Sequence, residues 1–154
     1  AQKGVQVLMH NTLAASDYAL IDQDTLAPRP NYWAAVLWAR HMGTTVLASP
    51  RSPSPGVRLY AHCLKDVDGG VALLALNTGA SDQSLDVGAS ATAWVMTGAP
   101  IDTRAVKVNG VEPQIDANGE IKGLDGAPAK GPLTLPAQSV AFVAVADAGN
   151  AACR

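Results

Sequence analysis

Between Thr44 and Ala146 the sequence alternates short β-rich runs with clusters of turn formers, and no helical period interrupts them. The runs are TTVLAS, VRLYAHC, VALLALN, ATAWVMT, AVKVNG and SVAFVAVA; between them stand PRSPSPG, DVDGG, NTGASD, DANGE and DGAPAKG. β-Branched and aromatic residues suit a pleated, half-buried surface, whereas Gly, Pro, Asn and Asp supply tight turns. Six or more short strands at this spacing predict an antiparallel β-sandwich over residues 44–154. In VRLYAHC the alternation sets Val57, Leu59, Ala61 and Cys63 on one face and Arg58, Tyr60 and His62 on the other.

The first 43 residues follow another rule. GVQVLMH, from Gly4 to His10, is a continuous apolar run of the kind that forms strands buried on both faces of a parallel sheet. DTLAPRPNYWAAVLWARHMG predicts a helix, with Pro28 and Pro30 at its entry, Asn31 as N-cap and Gly43 as the C′ glycine. Trp33, Val36 and Leu37 share one face, and Ala34, Trp38 and Met42 spread the apolar surface nearly all round, so this helix needs cover on more than one side. A lone strand and helix cannot close a sheet. Residues 1–43 are therefore predicted to be the last strand, loop and helix of a (β/α)8 barrel, followed by the sandwich. In such barrels, binding groups sit on loops after the C-terminal ends of strands. The Asn11–Asp22 loop holds that position and carries Tyr18.

Composition narrows the function. Of 154 residues only 16% are charged, with a formal net charge of -2, so there is no basic field to hold nucleic acid or an anionic membrane. No apolar stretch approaches the roughly 20 residues a membrane helix needs. The chain opens Ala-Gln-Lys-Gly, without an initiator Met or a basic leader, and reads as mature or truncated. Cys63 and Cys153 are far apart and fit no zinc spacing. No metal and no cofactor are expected. On spacing alone the two cysteines are either one disulfide, which would imply an oxidising compartment, or two free thiols with Cys63 in the core.

SDYALID, the run DTLAPRPNYWAAVLWARHMGTTVL, RLYAHC, VKVNG, LPAQSVAFVAV and the terminal AACR, in this order, resemble the C-terminal portion of heparanase and its bacterial β-glucuronidase relatives. These are retaining glycoside hydrolases with a (β/α)8 barrel and an appended β-sandwich. The alanine-rich composition leans towards a bacterial member. The resemblance implies that a tyrosine hydroxyl on the loop after the eighth strand, and a backbone N–H two residues earlier, bind the carboxylate of a uronic acid. Tyr18 and the backbone of Ser16 match those positions, although the family has glycine where Ser16 stands and its loop is one residue longer. Asn11 falls where the family has a cleft-lining glutamine, and His10 where an arginine follows the strand. Asp17, just before Tyr18, either faces the cleft or is a solvated loop carboxylate. Cys63 and Cys153 match the pair that closes the family's sandwich, which favours the disulfide.

Retaining glycosidases use two carboxyl groups about 5 Å apart. The resemblance places both upstream of Gly4, so no catalytic carboxylate is expected in this chain. Asp22 and Asp24 read as turn formers, and Asp66, Asp68, Asp116 and Asp125 lie in glycine-rich turns. Trp33, Trp38 and Trp94 read as packing residues. The implied function is β-glucuronide cleavage, with heparan sulfate or a related glucuronic-acid polysaccharide as substrate, in a secreted or periplasmic enzyme. The implied partner is the N-terminal barrel portion of the same enzyme. Sulfate recognition would draw on Lys3, Arg29 or Arg40, the cations of the first 43 residues. The alternative is a stand-alone carbohydrate-binding or interaction module without catalysis; against it, the Trp33/Leu37 face and the VQVLM strand would stand unburied.

Overall fold

The computed structural model describes residues 3–5, 7–100 and 102–154. A twelve-residue helix, α1 (Pro30–His41), runs without a linker into β1 (Met42–Leu47). Then follow β2 (Val57–Leu64), β3 (Val71–Asn77), β4 (Gln83–Asp86), β5 (Ala91–Thr97) and β6 (Lys107–Val108). The later strands are β7 (Gln114–Ile115), β8 (Ile121–Lys122), β9 (Ala127–Ala129), β10 (Pro132–Leu135) and β11 (Ser139–Val145), before a 3-10 turn at Ala151–Cys153. The chain is mostly β. Its main sheet runs β1-β2-β3-β11-β5-β6, with β9 also on β5, and every pairing is antiparallel. β4 pairs with β10 and β7 with β8 as separate ribbons.

The strand register sorts apolar residues onto two faces. Ala141 stands opposite Ala75 and Val95, and the next residue, Phe142, opposite Leu74 and Trp94. On the first face Val57, Leu59, Ala75, Ala93, Ala141 and Val143 pack with Leu85 and Leu135 from the β4–β10 ribbon and with Val87 just after β4. On the second, Ala72, Phe142, Trp94, Met96 and Leu64 pack with Trp33 and Leu37 of α1. The main sheet is thus covered by a ribbon on one side and a helix on the other. Leu37 is fully buried and Trp33 nearly so, each contributing about 1.5 to 3 kcal/mol by leaving water.

Two asparagines tie these layers through the backbone. Buried Asn77, at the end of β3, places its Nδ2 at 2.9 to 3.0 Å from the carbonyls of Ser81, Leu135 and Pro136, which anchors the ribbon. Asn109 and Gly110 form the two-residue turn after β6, both at positive φ, as such turns require. The Asn109 side chain then accepts from Val95 N–H and donates to the carbonyls of Ala93 and Asp125.

Several expectations for the first 43 residues are corrected. Residues 4–5 and 7–10 form no strand here, and Val7, Leu8 and Met9 are 73%, 93% and 85% exposed. A strand that needs neighbours on both edges finds none within this chain. Asn31 does not cap α1: Arg29 is the N-cap residue and makes no side-chain cap, while Pro30 opens the helix. Gly43 is not a left-handed C′ residue but lies within β1, where a Cβ would stand 2.6 Å from the Cys63 carbonyl oxygen. The glycine permits close strand approach. Nor does the Trp33/Leu37 face await an outside partner, because this chain's own sheet covers it. Among the described residues nothing buries the opposite side of α1, and Trp38 is 39% exposed, packing edge-on against His62.

The cysteines form a Cys63–Cys153 disulfide, joining the C-terminal turn to β2 across 90 residues. Cys63 is half-buried at the strand end, less inward than alternation alone predicts. Trp94 is a core residue, its Nε1 donating to the Leu124 carbonyl at 3.1 Å.

Candidate functional site

The Asn11–Asp22 loop is irregular, so its shape must come from specific hydrogen bonds. At its far end Asp22 makes a tight turn, its Oδ1 accepting from the backbone of Asp24 and Thr25 and from the Thr25 hydroxyl. The Thr25 N–H first, then its hydroxyl and the Asp24 N–H, with a smaller part from the Arg29 guanidinium, hold the Asp22 carboxyl well below its ordinary value of 3.8, at about 2. Ile21 N–H donates to the Leu13 carbonyl and Arg29 N–H to that of Leu20, closing the loop onto the helix entry. Asp22 forms the turn with its side chain, whereas Asp24 takes part through its backbone N–H.

Tyr18 stands on the outer side of this frame, 58% exposed. Its hydroxyl accepts from Asn11 Nδ2 at 3.3 Å. Its carbonyl takes two bonds, from His10 Nε2 and Asn31 Nδ2, each at 3.0 Å. His10, Asn11 and Tyr18 are therefore one hydrogen-bonded group, with the His10 ring edge-on to the phenol. Ser16 is oriented differently. Its hydroxyl is buried, and its carbonyl accepts from Ala19 N–H and Arg29 Nη1, each at 3.1 Å. The Asp17 carboxylate is fully solvent-exposed and lies 3.8 Å from Arg104 Nη2.

Three further residues hold this group, with little or no sign of it in the sequence. Arg29, 8% exposed, reaches the carbonyls of Ser16 and Asp17 with Nη1 and the Asp22 carboxylate with Nη2, so it is not free to meet sulfate. Arg104, from the β5–β6 loop, bonds the same Asp22 oxygen. Asn31 holds the Tyr18 carbonyl rather than the helix N-terminus. Arg29 carries one faint signal, a cation placed between two prolines at a helix entry; for Arg104, 82 residues from Asp22, local sequence holds none.

A concavity of about 400 Å³ lies near this loop, between the start of α1 and the ends of β3, β5 and β11, lined by Pro30, Ala34, Leu76, Met96 and Val140 among others. Its walls are mainly carbon.

No family model matches the chain. It is 28% identical over its whole length to a hyaluronoglucuronidase from Hirudo nipponia, covering 35% of that protein. It is 31% identical over 74% of its length to a baicalin-β-D-glucuronidase from Scutellaria baicalensis, covering 23% of it, and 29% identical over 99% of its length to heparanase from Mus musculus, covering 32%. The chain thus spans about a third or less of the length of these relatives. Among solved structures, it superimposes on a glycoside hydrolase family 30 xylanase from Clostridium acetobutylicum with a TM-score of 0.54, 18% identity, 86% of this chain and 32% of that one, a likeness of fold. By sequence the chain belongs to the heparanase-like glycoside hydrolases, as their C-terminal portion.

Proposed function

We propose that this chain is the C-terminal part of a retaining glycoside hydrolase that cleaves β-glucuronide linkages in glucuronic-acid polysaccharides such as heparan sulfate. Residues 1–43 supply the last strand, loop and helix of a (β/α)8 catalytic barrel, and residues 44–154 its appended β-sandwich. The acid and nucleophile lie on the upstream barrel portion, the chain's main partner. The exposed Val7, Leu8 and Met9 support this, since a barrel strand buries such residues between neighbours. The disulfide fits an extracytoplasmic setting, and no helix among the described residues is long and apolar enough to cross a membrane.

The observation that carries the reading is the Tyr18 group. An exposed phenol, its hydroxyl oriented by Asn11, is free to donate its proton to a ligand while accepting from the asparagine. A hydroxyl and a backbone N–H recognise a carboxylate without adding a full charge, and exclusion of water strengthens both bonds. His10 and Asn31 fix the Tyr18 backbone, and Asn11 lines the approach. Ser16 and Asp17 complete the binding loop. Hydrolysis then proceeds by double displacement at the anomeric carbon, with uronate specificity supplied partly by this loop.

The test is Tyr18→Phe in the complete enzyme, assayed on matched β-glucuronide and β-glucoside substrates. Loss of the hydroxyl should lower kcat/KM on the glucuronide by roughly 5- to 150-fold, the equivalent of about 1 to 3 kcal/mol for an undersatisfied buried polar group, with a much smaller loss on the glucoside. Equal losses on both substrates would sink the carboxylate role.

One observation favours the second reading, a stand-alone carbohydrate-binding or interaction module. α1 buries its apolar face within this chain, so residues 30–154 hold a core of their own. Size-exclusion chromatography decides between the two: a soluble folded monomer favours the module, and dependence on an upstream barrel favours the enzyme.

A further inference from the structure

Arg29 is a buried cation on the inner side of the Tyr18 loop, and its bonding pattern has a consequence for the outer side. Its Nη1 donates to the carbonyls of two successive peptides, Ser16 at 3.1 Å and Asp17 at shorter range, and its Nη2 to Asp22 Oδ2 at 3.2 Å. In a trans peptide the C=O and the following N–H point in opposite directions across a rigid plane. Drawing the Ser16 and Asp17 carbonyls inward therefore turns the N–H groups of Asp17 and Tyr18 away from the buried guanidinium. Among the described residues neither N–H has a hydrogen-bond partner, nor has that of Ser16, whereas the Ala15 and Ala19 N–H groups are both satisfied internally. Successive outward N–H groups form an anion-binding concavity. The carbonyl of Ala15, which sets the direction of the Ser16 N–H, is not held by Arg29.

We infer that Arg29 is a positioning residue for uronate recognition, and that the backbone donors it presents are the N–H groups of Asp17 and Tyr18 rather than that of Ser16. The inference rests on the uronate-binding reading of this loop. The serine at position 16 then matters little to the ligand, because its hydroxyl is turned into the protein. The Asp17 carboxylate would repel a sugar acid, and Arg104, 3.8 Å away, offsets that charge. The guanidinium fork suits the task better than an ammonium: it reaches two carbonyls and a carboxylate at once in a fixed plane, whereas lysine has one nitrogen on a flexible stem.

The experiment compares Arg29→Met, Arg29→Lys and Tyr18→Phe in the complete enzyme, by the ratio of kcat/KM on a β-glucuronide to that on the matched β-glucoside. Arg29→Met should lower this ratio about tenfold, mainly through KM on the glucuronide, and Arg29→Lys should lower it by less. The double variant with Tyr18→Phe should fall short of the product of the single losses, because both act at one loop. A loss shared equally by both substrates, or strictly multiplicative effects, overturns the positioning role while a selective Tyr18→Phe loss leaves the uronate reading standing. A Tyr18→Phe loss without selectivity removes the uronate reading itself. Should Arg29→Met fail to fold, Arg29→Lys carries the same comparison. Single amide-to-ester replacements then assign the donors: those removing the Asp17 or Tyr18 N–H should lower the ratio several-fold, and a larger drop from removing the Ser16 N–H contradicts the assignment.

Discussion

The Arg104 guanidinium, in the β5–β6 loop, stands 3.3 Å from the carboxylate of Asp22, 82 residues earlier, and the same carboxylate oxygen receives Arg29 at 3.2 Å. One acid thus joins the Tyr18 loop to the helix entry and to the main sheet. Local turn chemistry shapes the loop, and cations from two directions fix where it sits.

Asp22, held chiefly by the Thr25 donors of its own turn, should titrate. The Asp22 carboxyl is lowered from 3.8 to about 2, so its folded value lies below its unfolded one. Its contribution is therefore fully present above about pH 4 and is lost as pH falls from there towards 2. Thermal unfolding followed from pH 5 to 2 should show a shallower decline for Asp22→Asn than for the parent, starting from a lower Tm at pH 5. Parallel declines would contradict the account.

His41, in the last turn of α1, has the opposite chemistry but a similar direction. Its ring packs on Trp94 with centroids 4.0 Å apart and its Nε2 is buried without a partner, so burial first, and the neighbouring Arg40 charge second, push its pKa below 6.5. The fold prefers the neutral ring, and stability should fall as pH drops below about 6.5 and the unfolded chain takes up the proton first. Urea midpoints at pH 7.5 and 5.5 should differ less in His41→Gln than in the parent. An unchanged difference would show that His41 does not titrate against folding.

The helix is part of the β domain's core. Leu37→Ala should cost about 2 to 5 kcal/mol, as for other fully buried leucines, and Trp38→Ala distinctly less, since Trp38 is 39% exposed. Urea unfolding of both variants checks this; similar losses would mean that α1 does not use the Leu37 face as its anchor.

The Cys63–Cys153 bond spans 90 residues, most of the chain. On loop-closure entropy it should stabilise the fold by about 4 to 5 kcal/mol, with observed values for native bonds commonly about 2 to 5. Paired serine substitution should lower the urea midpoint accordingly and release the terminal turn, whose Cys153 carbonyl accepts from Gly69 N–H. A midpoint shift near zero would contradict this.

The legible parts of this chain were those whose pattern is local. VALLALN and SVAFVAVA became β3 and β11 because short β-rich apolar runs bounded by turn formers leave few other options, whereas AVKVNG, read as a strand, keeps only Lys107–Val108 in β6 and turns at Asn109 and Gly110. The short strands β4 and β10 are not legible because QSLD and PLTL, four residues each, are too brief for a period to stand out. α1 was legible as a helix, yet its cap and its partner were not. Asn31 has the right chemistry for a cap but is claimed by Tyr18, and which surface covers Trp33 depends on a sheet formed later in the chain. At the candidate site, Tyr18, Asn11 and His10 came from the resemblance. Arg29 leaves only the faint trace of a cation between two prolines, and Arg104, paired across 82 residues, leaves none.

The measurement that bears most directly on the central claim is a structure of the complete enzyme with a glucuronic-acid ligand bound. One carboxylate oxygen should lie about 3 Å from the Tyr18 hydroxyl, with the other facing the N–H groups of Asp17 and Tyr18. A carboxylate turned away from this loop, with Tyr18 contacting only sugar hydroxyls or nothing, would contradict it.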